Sequence, residues 1–392
     1  MLKRFTISNY RSFYDEAELN LIADKDTIYT KKINNEYISK LCLLYGYNGC
    51  GKSNLLNALK YIFYSNNGYI ISSDDSIKRL LDPNMIYGKN ENSRFYLEFY
   101  SYDDYEICSY ELILDNNNKR IHLERFKKNN KVIFEREKNT ISDGIFNYDD
   151  SIADTNTFLS FFNNKLKDIN EKADKYREEI NYYISLFKNL CFLFPFTNES
   201  DFSSYAILEI FEYFNKYNIW DTYKKLLYMT DIDDLNIVDS INANNFSFML
   251  DNKRLVSRHD SYSNDFDEVE SEGSKVYAIN LIYILSSIIN GTLSIVDEFN
   301  GVQSELLEFT IRLFKKGAFN DIERETSQLI LSTHDITLMS IDDTLLFNYF
   351  LINKKNNITR IYRADELKNI NKDLNISNLE REYRKNHLGI SR

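Results

Sequence analysis

The sequence predicts an α/β chain of two lobes, a mixed parallel sheet and an antiparallel β lobe, with a helical insertion. Three observations carry this expectation. A strand, a glycine-rich loop and a helix follow one another between residues 41 and 63, four alternating segments fill residues 94–136, and a strand–helix alternation returns after residue 276. At 392 residues the chain exceeds one ordinary module, so two lobes or one lobe with a large insertion is expected. Its 43% hydrophobic and 15% aromatic residues suffice for a substantial core and argue against disorder.

Residues 1–45 alternate apolar and polar positions, with Leu2, Phe5 and Ile7 and then Ala17, Leu19 and Leu21 spaced as in half-buried strands. They end in Leu41-Cys42-Leu43-Leu44, an unbroken apolar run that suits a central strand covered on both faces. Beyond the loop, Leu55, Leu56, Leu59, Ile62 and Phe63 recur at helical spacing. RFYLEFY, YEICSYELIL, RIHLERF and KVIFERE read as antiparallel strands joined by Asp- and Asn-rich turns. From Phe162 to Leu190 an apolar or aromatic residue returns at alternating steps of four and three, which predicts one long helix. Tyr and Ala at seam positions favour a helix packed in the core over a protruding arm. Pro195 ends this element, Tyr205 to Met229 reads as one or two further helices, and Asn242 to Glu270 is polar and expected to be rich in loops. From Val276 the pattern becomes helix, strand (Leu293 to Val296), helix (Glu305 to Lys316), strand (Gln328 to Ser332) and a hairpin at Phe347 to Tyr362. The expected division is therefore 1–150 for the N-terminal part of the nucleotide lobe, 151–240 for the helical insertion and 241–392 for the C-terminal part.

Forty-eight Lys and Arg against 59 Asp and Glu leave a net charge of -11, which disfavours a protein whose whole surface coats nucleic acid; a local basic groove stays open. Cys42, Cys50, Cys108 and Cys191 show no CxxC spacing, so neither a disulfide framework nor a zinc site is indicated, and a reducing cytoplasm fits. The opening residues hold no uninterrupted apolar run, and Ala278 to Ile289 is too short and too polar to span a bilayer. A cytoplasmic protein with no membrane association is expected.

Gly46-Tyr47-Asn48-Gly49-Cys50-Gly51-Lys52-Ser53 fits the GxxxxGK[ST] phosphate loop, placed between a buried strand and a helix start as that motif requires. Its glycines let backbone N–H groups curl around a β-phosphate, Lys52 bridges β- and γ-phosphates, and the Ser53 hydroxyl coordinates Mg²⁺. Asn48, Cys50 and Asn54 line the same turn, Cys50 as a small side chain. Leu293 to Val296 followed by Asp297 and Glu298 is an apolar strand ending in two acids, with Asp297 as the metal ligand and Glu298 as the residue that polarises the attacking water. His334, in Ser332-Thr333-His334-Asp335, follows another buried strand and would meet the γ-phosphate. Ser271 and Gly273 form a Ser-x-Gly turn at a helix start, which presents a hydroxyl and N–H groups to an anion.

Together these residues resemble the ABC-type ATPases of chromosome-maintenance, double-strand-break-repair and OLD-like proteins, and more closely the compact AAA/ABC ATPases of bacterial abortive-infection loci. The resemblance runs over nearly the whole chain, through FTISNYRSFYDEAELNL, YGYNGCGKSNLLNALKYI, ESEGSK, LSIVDEF, LILSTHD and NISNLEREYRKNHLG. It implies a two-lobed ABC-type head that binds ATP and Mg²⁺, and a homodimer or higher oligomer with ATP sandwiched between the phosphate loop of one subunit and Ser271 and Gly273, the signature, of another. It also implies a separate effector, a nuclease or other toxin such as a Toprim protein; the aromatic-rich insertion 158–229 and the basic tail 378–392 are the surfaces expected to hold it. Arg11, Ser12 and Phe13 match the family's nucleotide-contacting start, and His259 matches a recurrent position ahead of the signature. Phe299 to Ser304 departs from the usual Asp-rich D-loop and no Q-loop glutamine is evident, which implies slow or partner-gated hydrolysis. A DNA-clamping repair head is the alternative reading; too few residues follow His334 for the Toprim domain of a self-contained nuclease, and a transporter ATPase would lack so large a helical insertion.

Overall fold

The computed structural model describes residues 1–67, 73–146, 152–167, 176–191, 214–215, 219–230, 232–239, 253–259, 262–297, 302–318 and 325–388. The chain falls into two compact units. One holds Met1–Pro195, Ser287–Glu298 and Leu313–Arg392; the other holds Phe196–Ser286 and Phe299–Arg312. Among the described residues no helix is long and apolar enough to cross a membrane.

The first unit is built on a five-stranded sheet in the order Leu293–Asp297, Gln328–Thr333, Leu41–Tyr45, Tyr349–Lys355, Ile358–Arg363. The first four strands are parallel and only the last turns back. Leu41–Tyr45 and Gln328–Thr333 are buried at every position, which is why neither sequence alternates. Because Gln328–Thr333 lies between the other two, Tyr45, Thr333 and Asp297 end side by side at the carboxyl edge of the sheet. Ligands of α/β sheets bind at that edge.

The alternating segments form a larger antiparallel sheet than the sequence suggested. Seven strands run in the order Thr140–Gly144, Lys131–Glu137, Arg120–Lys128, Ile107–Asp115, Ser93–Tyr100, Leu2–Ser8, Ala17–Asn20. Gln328 ties this sheet to the parallel one: its amide donates to Leu2 O and Ser39 O, both at 2.9 Å, and its Oε1 accepts from Leu2 N at 2.6 Å. Ile22–Ala23, Glu36–Ser39 and Thr30–Ile33 make a small sheet of their own.

The single helix expected from Phe162 to Leu190 does not form. One helix spans Phe158–Lys167; another, Arg177–Leu190, starts after Tyr176, whose φ of -109° and ψ of 11° are not helical. The heptad spacing reflected burial rather than continuity. Ile180, Tyr183, Phe187 and Leu190 are buried, and the Phe187 ring packs on Phe99, Tyr110 and Phe126 of the antiparallel sheet. Both helices belong to the first unit, whose first segment runs to Pro195.

A buried ion pair anchors the first of these helices. Glu124 and Arg136 are both 0% exposed and 2.8 Å apart. The Glu124 carboxylate also accepts from the Tyr110 hydroxyl at 2.9 Å and, through both oxygens, from Phe158 N at 3.1 and 3.0 Å. Burial pushes the Glu124 carboxyl up from the ordinary range, against the pull of Arg136 and these donors.

The second unit carries a three-stranded antiparallel sheet, Asp234–Asp239, Lys253–His259 and Tyr262–Asp265; the first strand lies in the stretch expected to be helical and the other two where loops were expected. Leu255 and Ser257 are buried on its middle strand, and a hydroxyl at one of two inward positions hides the period-two signal. Trp220–Leu227 is the longest described part of the helices expected over 205–229, and its Tyr223 hydroxyl donates to Ala278 O at 3.1 Å within the Glu272–Asn290 helix.

Candidate functional site

Leu41–Tyr45 delivers the chain to Gly46, and the helix Lys52–Asn67 begins where the glycine loop closes. Gly49 and Gly51 have φ of 75° and 114°, backbone states that L side chains rarely adopt. A Cβ on Gly51 would stand 2.8 Å from both Ser12 Oγ and Thr359 Oγ1, whereas one on Gly49 would meet nothing within 4 Å. The loop is thus packed tightly at Gly51 and open at Gly49.

Thr359 braces it from below. Its N–H donates to Ser12 O and its hydroxyl to Cys50 O, both at 2.7 Å. Cys50 is buried and donates its N–H to Tyr47 O at 3.1 Å. Asn54, on the first turn of the helix, donates to Ser12 Oγ at 3.0 Å and accepts from Arg11 Nη1 at 3.3 Å. Arg11 has a φ of 49° and donates from Nε to Asp82 at 2.8 Å, with its guanidinium 5.2 Å from the Tyr10 ring centre. Arg11, Ser12 and Asn54 therefore form one connected edge of the loop.

Lys52 is 4% exposed. Its Nζ donates to Gly46 O at 2.9 Å and lies 3.1 Å from His334 Nε2. Ser53, at the helix start, is exposed. Asp297, which pairs in register with Ser332, accepts from the Ser332 hydroxyl at 2.5 Å. The strand order brings loop, Asp297 and His334 to one edge; Glu298 lies outside the described residues, as do Phe299, Asn300 and Gly301. Among the described residues no three His, Cys, Asp or Glu converge as a metal site.

Ser271 and Gly273 belong to the second unit. Ser271 is exposed, and its Oγ accepts from Ser274 N at 3.1 Å, the bond of an N-cap on the Glu272–Asn290 helix. Gly273 sits in the first turn. Just before it, the buried Glu270 meets His259 Nε2 at 2.7 Å, and the His259 ring stacks on Tyr262 with centroids 5.3 Å apart.

Sequence reasoning missed Thr359, Asp82 and Ser332. Ser332 was visible within the Ser-Thr-His-Asp motif, but its pairing with Asp297 follows from strand order. Thr359 and Asp82 carry no local signal, since each acts across a long separation in sequence.

The family model described as "AAA domain, putative AbiEii toxin, Type IV TA system" matches residues 41–340, more than half of the chain. Among solved structures the chain is similar to an Smc head bound to the C-winged helix domain of ScpA, at 12% identity and a TM-score of 0.49, with 92% of this chain and 96% of that one covered. It is also similar to an Smc head with an extended coiled coil bound to the C-terminal domain of ScpA, from Pyrococcus furiosus, at 10% identity and 0.47 over 95% and 98%. For the SMC head domain from Thermotoga maritima the values are 13% identity and 0.46 over 92% and 98%. Comparison with curated proteins gave no match.

Proposed function

The chain belongs to this AAA-domain family, and on that premise we propose that it binds and hydrolyses ATP as the sensor subunit of an anti-phage abortive-infection system, controlling a separate effector through ATP-dependent pairing of heads. The observation that carries the reading is the Lys52 ammonium at the mouth of a glycine loop, beside His334, on the sheet edge that also holds Asp297.

The residues fit a magnesium nucleotide. The loop is open at Gly49, its glycines leave N–H groups unscreened by side chains, and Lys52 is a compact positive charge that a β- or γ-phosphate can take over from Gly46 O. Ser53 and Asp297 would hold Mg²⁺, which is usually kept by one or two protein oxygens, waters and the phosphates, so no larger acidic cluster is needed. The bound ion would neutralise charge on the phosphates. Glu298 would orient the attacking water, and His334, beside Lys52, would meet the γ-phosphate edge. Ser271, Gly273 and the open N-terminus of their helix would complete the site of a second subunit in a cytoplasmic homodimer. The aromatic helices within 158–229 and the basic tail 378–392 are the surfaces for the effector.

Two measurements test the reading. Fluorescent ATP titrated with Mg²⁺ should bind the wild-type chain and not Lys52→Ala; equal affinity removes the loop from the proposal. In cells, the chain expressed without its genomic neighbours should leave growth normal and phage infection productive. Growth arrest caused by this chain alone, or cleavage of nucleic acid by the purified protein, would replace the sensor with a self-contained toxic enzyme.

A further inference from the structure

The C-terminal helix Ile376–Arg384 lies against the start of the glycine loop. Its Tyr383 ring stacks on Tyr47, the second residue of the loop, with centroids 6.1 Å apart and planes 18° apart. The same ring meets Tyr45, the residue before Gly46, edge to face at 6.5 Å. The helix then stops on Asn386, whose φ is 55°. Asn386 N donates to Tyr383 O and His387 N to Glu382 O, both at 3.1 Å, the paired bonds that close a helix on a left-handed residue. Asn tolerates that conformation, and here its side chain has a second use: Oδ1 accepts from the Tyr47 hydroxyl at 3.2 Å. On its other side the helix packs on the Ile336–Ser340 turn, which follows His334 and is capped by Asp335. One helix therefore touches both chain segments that meet at the Lys52–His334 contact.

We propose that Tyr383 and Asn386 are positioning residues of the nucleotide site: by holding Tyr47 they set the path of the Gly46–Gly49 limb and, through it, the affinity for a nucleoside diphosphate. Gly46 O is the acceptor for Lys52 Nζ, so a shift of Tyr47 moves the group against which the lysine is set. Tyr383 touches the loop through Tyr47 and needs no contact with the nucleotide. The inference rests on the reading of Gly46–Ser53 as the nucleotide-binding loop.

The test is the dissociation constant of fluorescent ADP with Mg²⁺ for the wild type, Tyr47→Ala, Tyr383→Ala, the double variant, Tyr383→Phe, Asn386→Ala and Lys52→Ala. Tyr47→Ala and Tyr383→Ala should each weaken binding about tenfold, which corresponds to roughly 1.4 kcal/mol. The double variant should bind no more weakly than either single one, because both remove the same contact. Tyr383→Phe, which keeps the ring, should stay within about twofold. Additive losses in the double variant, or a loss in Tyr383→Phe as large as in Tyr383→Ala, would overturn the positioning role. Should Tyr383→Ala fail to fold by circular dichroism, Asn386→Ala at an exposed position carries the test, with a loss of about threefold expected and unchanged affinity overturning the proposal. If Lys52→Ala loses ADP while the Tyr383 and Asn386 variants bind as the wild type does, positioning alone is wrong. If the wild type binds no ADP, or Lys52→Ala binds it normally, the loop reading falls and the proposal falls with it.

Discussion

The helices Phe158–Lys167 and Lys52–Asn67 both start in the first unit at a buried residue, and both N-termini are electropositive by the same physics of unpaired N–H groups and aligned peptide dipoles. At Phe158 the chain supplies the anion itself: Glu124 accepts from the first helical N–H with both oxygens and is neutralised by Arg136. At Lys52 the chain supplies a cation and a glycine turn that is open at Gly49. One N-terminus is a structural joint and the other has the form of a receptor. A helix start becomes a ligand site when the chain leaves the anion out and adds positive charge, and the start of Glu272–Asn290 shows a third case, exposed and capped at Ser274 N by the Ser271 hydroxyl.

The largest expected effect belongs to the joint. Glu124→Gln keeps the shape but leaves Arg136 buried without its counter-charge, which should cost about 3–5 kcal/mol of stability in urea or thermal melting. A loss under about 1 kcal/mol would mean that the carboxylate is not what closes that helix. Next comes the receptor. Gly51→Ala forces a side chain into a φ of 114° and against Ser12 and Thr359, a strain of about 1–3 kcal/mol, and should weaken ATP more than about tenfold in equilibrium titration. Normal affinity would show that the packed side of the loop tolerates movement.

Turnover separates binding from chemistry. Glu298→Gln should retain nucleotide while slowing hydrolysis at least about tenfold, or roughly 1.4 kcal/mol of barrier, in a phosphate-release assay. Equal rates would move the water-orienting role elsewhere. The smallest effect on stability is expected at the exposed N-terminus, where a lost N-cap costs about 1 kcal/mol. There, mixing equal amounts of inactive Lys52→Ala and inactive Ser271→Arg chains should restore up to about a quarter of the wild-type turnover, because half of the pairs are mixed and each mixed pair retains one of two composite sites. No recovery on mixing would confine Ser271 to its capping role.

Much of this was legible in the sequence because it depends on short-range spacing. A glycine loop followed by Lys52 and Ser53, an apolar run before it, and acids ending a later apolar strand are local patterns, and the strand Leu41–Tyr45, the helix Lys52–Asn67 and the strand Leu293–Asp297 appear where those patterns put them. The four alternating segments of residues 94–136 were readable for the same reason, since period two is written in consecutive residues.

Tertiary structure alone decided which of these patterns touch. Insertion of Gln328–Thr333 between two strands far apart in sequence brings Ser332 to Asp297 and His334 to Lys52. Periodicity from Ile180 to Leu190 recorded which side chains are buried, but the non-helical Tyr176 ahead of that helix was not written in the spacing. Thr359 under Cys50, Asp82 beside Arg11 and Tyr383 on Tyr47 are likewise contacts across the fold. Backbone preference and hydrophobic period act over a few residues and are readable in the chain. Contact between distant residues is chosen by packing the whole unit, where shape and burial outweigh local preference.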